Sequence, residues 1–322
     1  MAIVVGSGAG GGTVARELAA QGHAVLLIER GPTIAERDAL RHYANVDAGI
    51  KLMRVFCLGG TTTVSAGNGL RCLEQELGAL GIDLSREYAE AERELGVKEL
   101  PDTLIGEGTR RIMDAARTLG FQPRKMPKFI DPAQCTRDGM CGFGCPAGAR
   151  WTSARYVREA EENGAEVITE RKVEAVLVRH GEVAGVRCAG REIADDLVVL
   201  AAGALETPKL LAPLGLPTSP LFADTFATIG GVCRGAGFNR DVPMGAYIPF
   251  DGGLLMPHYS RQLLTLLQDR GLQVGPGDIL GMMVKIRDDD AGIVGETVVK
   301  GVTARDAERI AGGSSIAGAI LR

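Results

Sequence analysis

Several features are scarce or missing in this chain, and their absence excludes some classes of function. No stretch approaches the roughly 20 uninterrupted apolar residues of a membrane-spanning helix, so no membrane span is predicted. A basic surplus is also missing, because 36 lysines and arginines face 40 aspartates and glutamates, which leaves a net charge of -4. Nucleic-acid binding needs positive charge to neutralise phosphates and is therefore not expected. A small-molecule partner is the expectation that remains.

No export signal is predicted, because Met1 leads directly into a strand-like segment. Seven cysteines, an odd number, in a chain without such a signal indicate reduced thiols rather than a disulfide framework. A cytoplasmic location is the expectation that follows.

What the chain does contain fits a globular α/β enzyme. Its 322 residues, of which 45% are hydrophobic and 24% charged, can bury a substantial core in one large or two modest domains. The 45 glycines are typical of a fold with many tight turns and close backbone approaches.

The order of predicted elements indicates a parallel sheet. The chain begins with a βαβ unit, which consists of a strand over 2–5, a glycine turn, a helix over about 11–21 and a strand over 24–28. A charged helical excursion and a loop rich in Pro, Cys and Gly follow over 80–119 and 123–146. Further predicted elements are a helix over 154–163, a small β meander over 166–188, a buried strand over 196–201, a helix over 206–211, strands over 245–249 and 279–286, and a helix over 261–270.

A glycine-rich motif stands at the first turn. Gly6, Gly8 and Gly11 match GxGxxG directly after a strand and at the start of a helix, with Ser7, Ala9 and Gly10 between them. Such glycines allow a tight turn, a close approach of the backbone to a pyrophosphate and close packing of the helix on the sheet. Glu29, eighteen residues after Gly11, can accept hydrogen bonds from ribose hydroxyls and disfavours the 2′-phosphate of NADP.

Two further segments point to a flavin cofactor. They are LGGTTTVSAGN over 58–68 and LVVLAAGALETP over 197–208. With GxGxxG before them, they make the sequence resemble the glucose-methanol-choline (GMC) family of FAD-dependent oxidoreductases over residues 1–211. The resemblance implies that FAD is the cofactor. It adds these residues to the predicted cofactor site: Arg30, Gly59, Gly60, Thr61, Asn68, Val173 (by its backbone), Ala202 and Gly203.

The resemblance also implies an architecture and a reaction. The expected fold class is α/β, with a Rossmann-type FAD/NAD(P)-binding domain (a parallel sheet with a small β meander) over 1–215, a helical and Cys/Gly-rich insertion at about 80–150, and a partial α+β substrate domain over 216–322. The expected reaction is oxidation of a CH–OH group, with hydride transfer to the flavin N5 and an external electron acceptor. Two alternatives stay open: a flavin-binding electron-transfer or catalytically incomplete subunit, and an FAD-dependent double-bond reductase.

The catalytic base of the resembled family, a histidine near its carboxy terminus, is not identifiable in this chain. The four histidines are His23, His42, His180 and His258. His258 is the catalytic candidate, because it follows Pro257 in the expected substrate region. The helical pattern from about residue 303 ends at the last residue, and its apolar side is expected to need a partner surface. The sequence therefore favours a truncated chain over the alternative, a short variant with different chemistry.

Three cysteines stand close together in the glycine-rich loop. Cys135, Cys141 and Cys145 form C-x5-C-x3-C, followed by PAGAR. Thiolates this close are able to bind a metal ion or an iron–sulfur cluster, but the spacing matches neither a ferredoxin nor a usual zinc site, and a fourth ligand is not evident. No metal site is predicted, and these cysteines are kept only as candidate ligands.

Overall fold

The computed structural model describes residues 1–216, 220–289 and 292–322. Within these ranges the α-helices are α1 (Ala9–Ala20), α2 (Glu74–Ala79), α3 (Ser85–Leu95), α4 (Glu107–Thr118), α5 (Ala154–Glu162), α6 (Gly203–Leu211), α7 (Arg261–Asp269) and α8 (Ala304–Ile320). The strands are β1 (Ala2–Val5), β2 (Val25–Ile28), β3 (Val46–Asp47), β4 (Lys51–Leu52), β5 (Lys98–Glu99), β6 (Arg124–Lys125), β7 (Pro127–Lys128), β8 (Glu166–Ile168), β9 (Val173–Arg179), β10 (Glu182–Cys188), β11 (Arg191–Ala194), β12 (Val198–Leu200), β13 (Phe226–Val232), β14 (Ala246–Phe250), β15 (Gly253–Pro257), β16 (Ile279–Ile286), β17 (Ile293–Val294) and β18 (Val298–Val299).

Internal contacts divide the chain into two compact units, each built from three segments. Unit 1 consists of Met1–Val64, Thr152–Ala223 and Asp290–Val302. Unit 2 consists of Ser65–Trp151, Asp224–Asp289 and Thr303–Arg322. The two functional domains predicted from the sequence, 1–215 and 216–322, stay a prediction.

Unit 1 is organised around a four-stranded parallel sheet in the order β12-β1-β2-β8. Successive side chains of a strand point to opposite faces of its sheet. On β1, Val4 packs in a core with α1 and α5, whereas Ile3 and Val5 pack in a core with β9 and β10. Both faces are therefore covered, which explains why these short strands are almost wholly apolar.

The second sheet of unit 1 is the predicted small β meander. Strands β9, β10 and β11 pair antiparallel in the order β11-β10-β9. Val173, Val176 and Val186 bury their side chains toward the parallel sheet. The expected Rossmann-type α/β fold with a small meander is confirmed.

Unit 2 is built on a five-stranded antiparallel sheet in the order β13-β16-β15-β14-β6. One face packs against α4 and α8 in a core that contains Ile112, Ala116, Ile248, Leu255, Met282, Val284, Ala317 and Ile320. Predicted strands 245–249 and 279–286 correspond to β14 and β16, and predicted helix 261–270 corresponds to α7. This sheet with helices on one face is an α+β arrangement.

The partner surface that the last helix was expected to need lies within unit 2. Ala317 and Ile320 of α8 are buried against the sheet of unit 2. Gly313 lets the helix approach closely, since a Cβ there would lie 2.4 Å from a side-chain atom of Val284. The apolar side of α8 is therefore covered within unit 2.

Two helices begin earlier than the sequence predicted. Helix α1 begins at Ala9 rather than 11, and α6 begins at Gly203 rather than 206. Gly203 has φ +85°, a backbone conformation that glycine adopts without strain, and it lets the chain turn directly from β12 into the helix. No helix within the described ranges is both long and apolar enough to cross a membrane. The cytoplasmic location stays a prediction.

Candidate cofactor site

The GxGxxG turn packs tightly on the carboxyl ends of β1 and β12. Gly6 has φ +97°, and a Cβ there would lie 2.5 Å from the carbonyl oxygen of Ala201. A Cβ on Gly11 would lie 1.8 Å from the carbonyl oxygen of Gly6. These two glycines are therefore required by packing, as the motif predicts.

The N-terminus of α1 is open. Gly8 is its N-cap and has no side chain to cap the helix, and the first bond of the helix runs from the Gly12 amide to the Gly8 carbonyl at 2.9 Å. Ala9 and Gly10 are exposed, and no heavy atom lies within 4 Å of a Cβ built on Gly8 or Gly10. Free amides at a helix N-terminus, with the positive end of the helix dipole, form a ready site for an anion.

A second helix starts beside the first. Strand β12 pairs in parallel with β1, so α6, which follows β12, begins at the same edge of the sheet as α1. Ala202 is the N-cap of α6, and Gly203 is exposed with nothing within 4 Å of a built Cβ. Ligands of open parallel sheets bind at this edge, outside the carboxyl ends of the strands.

Ser7 and Glu29 tie three segments of unit 1 together. The Ser7 amide and hydroxyl both donate to Glu29 Oε2, at 3.0 and 2.6 Å, and the Gly31 amide donates to Oε1 at 2.7 Å. The amide of Gly59 donates to Ser7 Oγ at 3.0 Å. Glu29 is only 5% exposed, and of the four lone-pair sites of a carboxylate, three are engaged by the protein. The structure thus gives Glu29 a positioning task that the sequence did not predict, and its ribose contact stays a prediction.

The GGTT segment folds back on the GxGxxG turn. Gly59 and Gly60 have φ +89° and +55°, and a Cβ on Gly60 would lie 3.1 Å from the Cα of Gly8. Thr61 is exposed, and its Oγ1 accepts a hydrogen bond from the Val55 amide at 3.4 Å. Motifs separated by about 50 residues in the sequence therefore meet in unit 1.

Ser153 contacts the candidate site but was not predicted from the sequence. Its hydroxyl donates to the carbonyl of Gly8 at 2.9 Å, and its amide donates to Thr62 Oγ1 at 2.9 Å. A Cβ on Gly12 would lie 2.1 Å from its Oγ. Ser153 is the N-cap of α5, so a serine just before a predicted helix was a visible signal, but the contact with Gly8 comes from the tertiary fold.

Arg30 belongs to a charged cluster that also escaped the sequence analysis. Its guanidinium carbon lies 3.8 Å from the ring centroid of Phe56, and that of Arg54 lies 4.6 Å from the same centroid. Arg54 donates to Glu206 in the first turn of α6 at 2.6 Å, and Arg30 pairs with the same carboxylate at 3.3 Å. Burial alone raises the pKa of Glu206, but Arg54, Lys209 and Arg30 together hold this pKa below its ordinary value.

Cys57 lies beside the GGTT segment as a buried thiol. Burial, the largest cause, raises the pKa of its thiol to about 11, against the opposing hydrogen bond with Thr63. The thiol therefore stays protonated at neutral pH and is no nucleophile.

Of the predicted cofactor residues, Asn68 alone belongs to unit 2. Its side chain is engaged there, since Oδ1 accepts a hydrogen bond from Lys128 Nζ at 2.7 Å and Nδ2 lies 3.3 Å from the Met244 sulfur. Val173 is the first residue of β9 in unit 1 and buries its side chain in the core, which leaves its backbone as the part predicted to meet the cofactor.

His258 follows β15 in unit 2. Its Nδ1 is buried without a hydrogen-bond partner in the described part of the chain, and its ring meets the Phe226 ring edge-on at 6.4 Å. Burial lowers the pKa of its imidazole to about 4. His23 and His180 are exposed, and His42 is half-buried at the end of a short 3-10 helix, so none of these three has a comparable setting.

Cys135, Cys141 and Cys145 line a single pocket of unit 2, together with Arg150. In the ranges that the structure describes, no three His, Cys, Asp or Glu side chains are placed to hold one metal ion. Burial raises the pKa of the Cys135 and Cys141 thiols.

Comparison with known proteins agrees with this geometry. Residues 2–230 match the model of the GMC oxidoreductase family. The chain belongs to the GMC oxidoreductases. Members of this family are FAD-binding flavoproteins, so FAD is the cofactor of this chain.

The relatives of this GMC oxidoreductase differ in length. An uncharacterised protein of Methanocaldococcus jannaschii is 30% identical over 96% of this chain and 78% of its own length. An uncharacterised GMC-type oxidoreductase of Mycobacterium tuberculosis is 30% identical, and the match covers 93% of this chain but only 56% of that relative. A long-chain-alcohol oxidase of Arabidopsis thaliana is 28% identical over 67% of this chain and 34% of its own length. Among solved structures, pyridoxine 4-oxidase from Mesorbium loti has a TM-score of 0.73 at 15% identity, over 99% of this chain and 79% of that one, which shows the shared fold.

Proposed function

We propose that this chain binds FAD at the carboxyl edge of the parallel sheet of unit 1 and oxidises an alcohol-type CH–OH group to a carbonyl. The observation that carries the cofactor site is the convergence of two open helix N-termini with the Gly59–Gly60 turn. The reaction type rests on family membership and on relatives such as the long-chain-alcohol oxidase.

Unit 1 supplies the features that an extended, doubly charged dinucleotide needs. The amides at the start of α1 would hold the pyrophosphate, because Gly8 and Gly10 leave open space in front of the helix dipole. Ala202 and Gly203 would close over the dinucleotide, and the backbone of Val173 would meet the adenine. Glu29 would accept from a ribose hydroxyl with its remaining lone pair, beside the guanidinium of Arg30.

Gly59, Gly60 and Thr61 of unit 1 would lie along the flavin part of the cofactor. The bound flavin supplies an acceptor for the hydride, and the protein has to orient the alcohol and accept its hydroxyl proton. Gly59 and Gly60 both have positive φ values, a conformation that glycine adopts without strain, and neither places a side chain between the backbone and a flat ring.

Cofactor binding and the reaction are tested by two separate measurements. We expect the purified chain to release FAD on acid treatment, and a long-chain primary alcohol to bleach the flavin absorbance near 450 nm in the absence of oxygen. Absence of FAD, even after reconstitution, would refute the cofactor site. Release of FAD without bleaching by any alcohol, but with reoxidation of the reduced flavin by an alkene, would instead favour a double-bond reductase.

His258 is expected to be a weak contributor to this reaction. A base whose conjugate acid has a pKa of about 4 accepts a proton poorly at neutral pH, whereas a well-tuned base contributes roughly 100-fold or more to the rate. We expect His258→Gln to lower the rate of alcohol-dependent flavin bleaching less than about tenfold. The exposed His180→Gln is the matched control. A loss above 100-fold in His258→Gln alone, with FAD content unchanged, would identify His258 as the base.

A further inference from the structure

The charged cluster of unit 1 lies beside the candidate cofactor site and consists of Arg30, Arg54, Phe56, Glu206 and Lys209. Arg54 Nη1 donates to Glu206 Oε1 at 2.6 Å, and Arg30 Nη1 lies 3.3 Å from Oε2 of the same carboxylate. Lys209 Nζ lies 3.9 Å from Oε1. Three cations surround one carboxylate, so the cluster has a net positive charge.

Glu206 is placed where its charge matters for an anionic ligand. It lies in the first turn of α6, the helix that begins at the carboxyl edge of the parallel sheet. An acid in the first turn stabilises a helix, because it faces the positive end of the helix dipole. The same N-terminus is proposed to receive the dinucleotide, and a free carboxylate there would repel the pyrophosphate. Glu206 is therefore compatible with an anion site only where cations neutralise it.

Arg54 makes the shortest of the three ion pairs, and hydrogen bonds hold it in place. The Ala44 amide donates to the carbonyl of Arg54 at 2.8 Å, and Arg54 Nε donates to the carbonyl of Ala44 at 3.1 Å. The next residue, Val55, forms a β-bridge with Tyr43. Only 21% of the Arg54 side chain is exposed. A guanidinium fixed in this way is oriented in advance for the carboxylate that it binds.

An apolar contact joins the same segment to α6. Leu205, the residue before Glu206, is 8% exposed and packs in a small core with Val46 of β3 and Leu52 of β4. Arg54 follows β4 by two residues. The apolar contact and the ion pair between Arg54 and Glu206 therefore connect the same two parts of unit 1.

Arg30 is held close to Arg54 by the backbone. A Cβ on Gly31 would lie 2.3 Å from the carbonyl carbon of Phe56, so the segments that carry the two arginines pack closely together. Both guanidinium groups lie on the Phe56 ring, with their central carbons 3.8 and 4.6 Å from its centroid. Glu206 and an incoming anion compete for Arg30, and this competition is weaker while Arg54 engages the carboxylate.

We infer that Arg54 is a positioning residue of the cofactor site, which neutralises Glu206 and so leaves Arg30 and the N-terminus of α6 to attract the pyrophosphate. This inference rests on the proposed binding of FAD in unit 1. Burial raises the pKa of Glu206, but the hydrogen bond from Arg54 and the surrounding cations hold the pKa below its ordinary value. The carboxylate is therefore charged at neutral pH, and its neutralisation depends on these cations.

The test is a flavin-fluorescence titration of the full chain and four variants with FAD. We expect Arg54→Gln to weaken FAD binding on the order of tenfold, because Glu206 then faces the ligand with one cation fewer. Arg54→Lys keeps the charge and should bind within about threefold of the unaltered chain.

The other two variants separate the charge effect from a structural one. The double variant Arg54→Gln with Glu206→Gln has no carboxylate to neutralise and should regain most of the lost affinity. Arg179→Gln is the matched control, because it breaks the 2.7 Å ion pair with Glu192 in the β meander of the same unit. Its affinity for FAD should change by less than about twofold. Urea unfolding of every variant shows whether a change in affinity follows a loss of stability.

Two results would overturn the inference. The first is an Arg54→Gln variant that binds FAD as tightly as Arg179→Gln. The second is a loss of affinity that neither Arg54→Lys nor the double variant repairs, which would make Arg54 a structural support only. If Arg54→Gln does not fold, the double variant decides, and it has to bind FAD within about threefold of Arg179→Gln. An unaltered chain that takes up no FAD would refute the cofactor site itself, and this inference with it.

Discussion

Replacing Gly11 with alanine is expected to destabilise unit 1 by about 3 kcal/mol or more. The added Cβ would lie 1.8 Å from the carbonyl oxygen of Gly6 and 3.2 Å from the Cβ of Ala201. The backbone at Gly6 cannot move aside without separating α1 from β1 and β12. FAD binding should therefore be lost as well. Urea unfolding followed by circular dichroism measures the change.

Two neighbouring glycines supply matched controls for Gly11→Ala. Gly10→Ala adds a methyl group where no heavy atom lies within 4 Å, so its stability should change by less than about 1 kcal/mol. Gly8→Val should also fold, because its φ of -63° is ordinary, but its side chain would fill the space in front of α1. We expect Gly8→Val to lose FAD with its unfolding midpoint nearly unchanged. Equal midpoints for Gly10→Ala and Gly11→Ala, or full FAD content in Gly8→Val, would contradict this account.

Glu29→Gln is expected to cost roughly 2–4 kcal/mol of stability and to weaken FAD binding at least about tenfold. The carboxylate accepts three hydrogen bonds in a buried setting, and an amide nitrogen in place of one oxygen would face donors from Ser7 or Gly31. Displacement of Ser7 would also release the Gly59 amide, which donates to it. Denaturant unfolding and a flavin-fluorescence titration measure the two effects.

The matched control is Glu17→Gln on the exposed side of α1, which should change stability by no more than about 0.5 kcal/mol. Ser7→Ala gives an intermediate case, because it removes the hydroxyl but keeps the Ser7 amide bond to the carboxylate. An effect of Glu29→Gln no larger than that of Glu17→Gln would show that the ties through Glu29 do not hold the site together.

The sequence predicted much of unit 1 because its signals are local. A strand, a glycine turn and a helix follow one another within the first 20 residues, and their geometry depends mainly on backbone freedom and on alternation of apolar residues. Strand 279–286 was predicted to the residue for a similar reason, as an apolar run in which almost every side chain is buried.

The predictions failed where a residue depends on a partner far away in the chain. Helix α8 was expected to need a partner surface, but the sequence did not identify it: the helix packs on strands that precede it by about 20 to 90 residues. Ser153 and the Arg54–Phe56–Glu206 cluster carry no motif of their own, because their contacts with Gly8 and Arg30 exist only after folding. The pKa values of His258 and Lys128, lowered to about 4 and about 7, are likewise products of burial.

The sequence by itself determined the order of the nucleotide-binding elements and the positions where only glycine fits, since both follow from backbone sterics and side-chain periodicity. Tertiary structure alone decided which distant groups meet. Glu29 meets Ser7 and Gly31 and, through Ser7, is linked to Gly59, and three cysteines line one pocket with Arg150. Such meetings depend on how elements pack across long separations in the chain, and spacing along the sequence does not encode them.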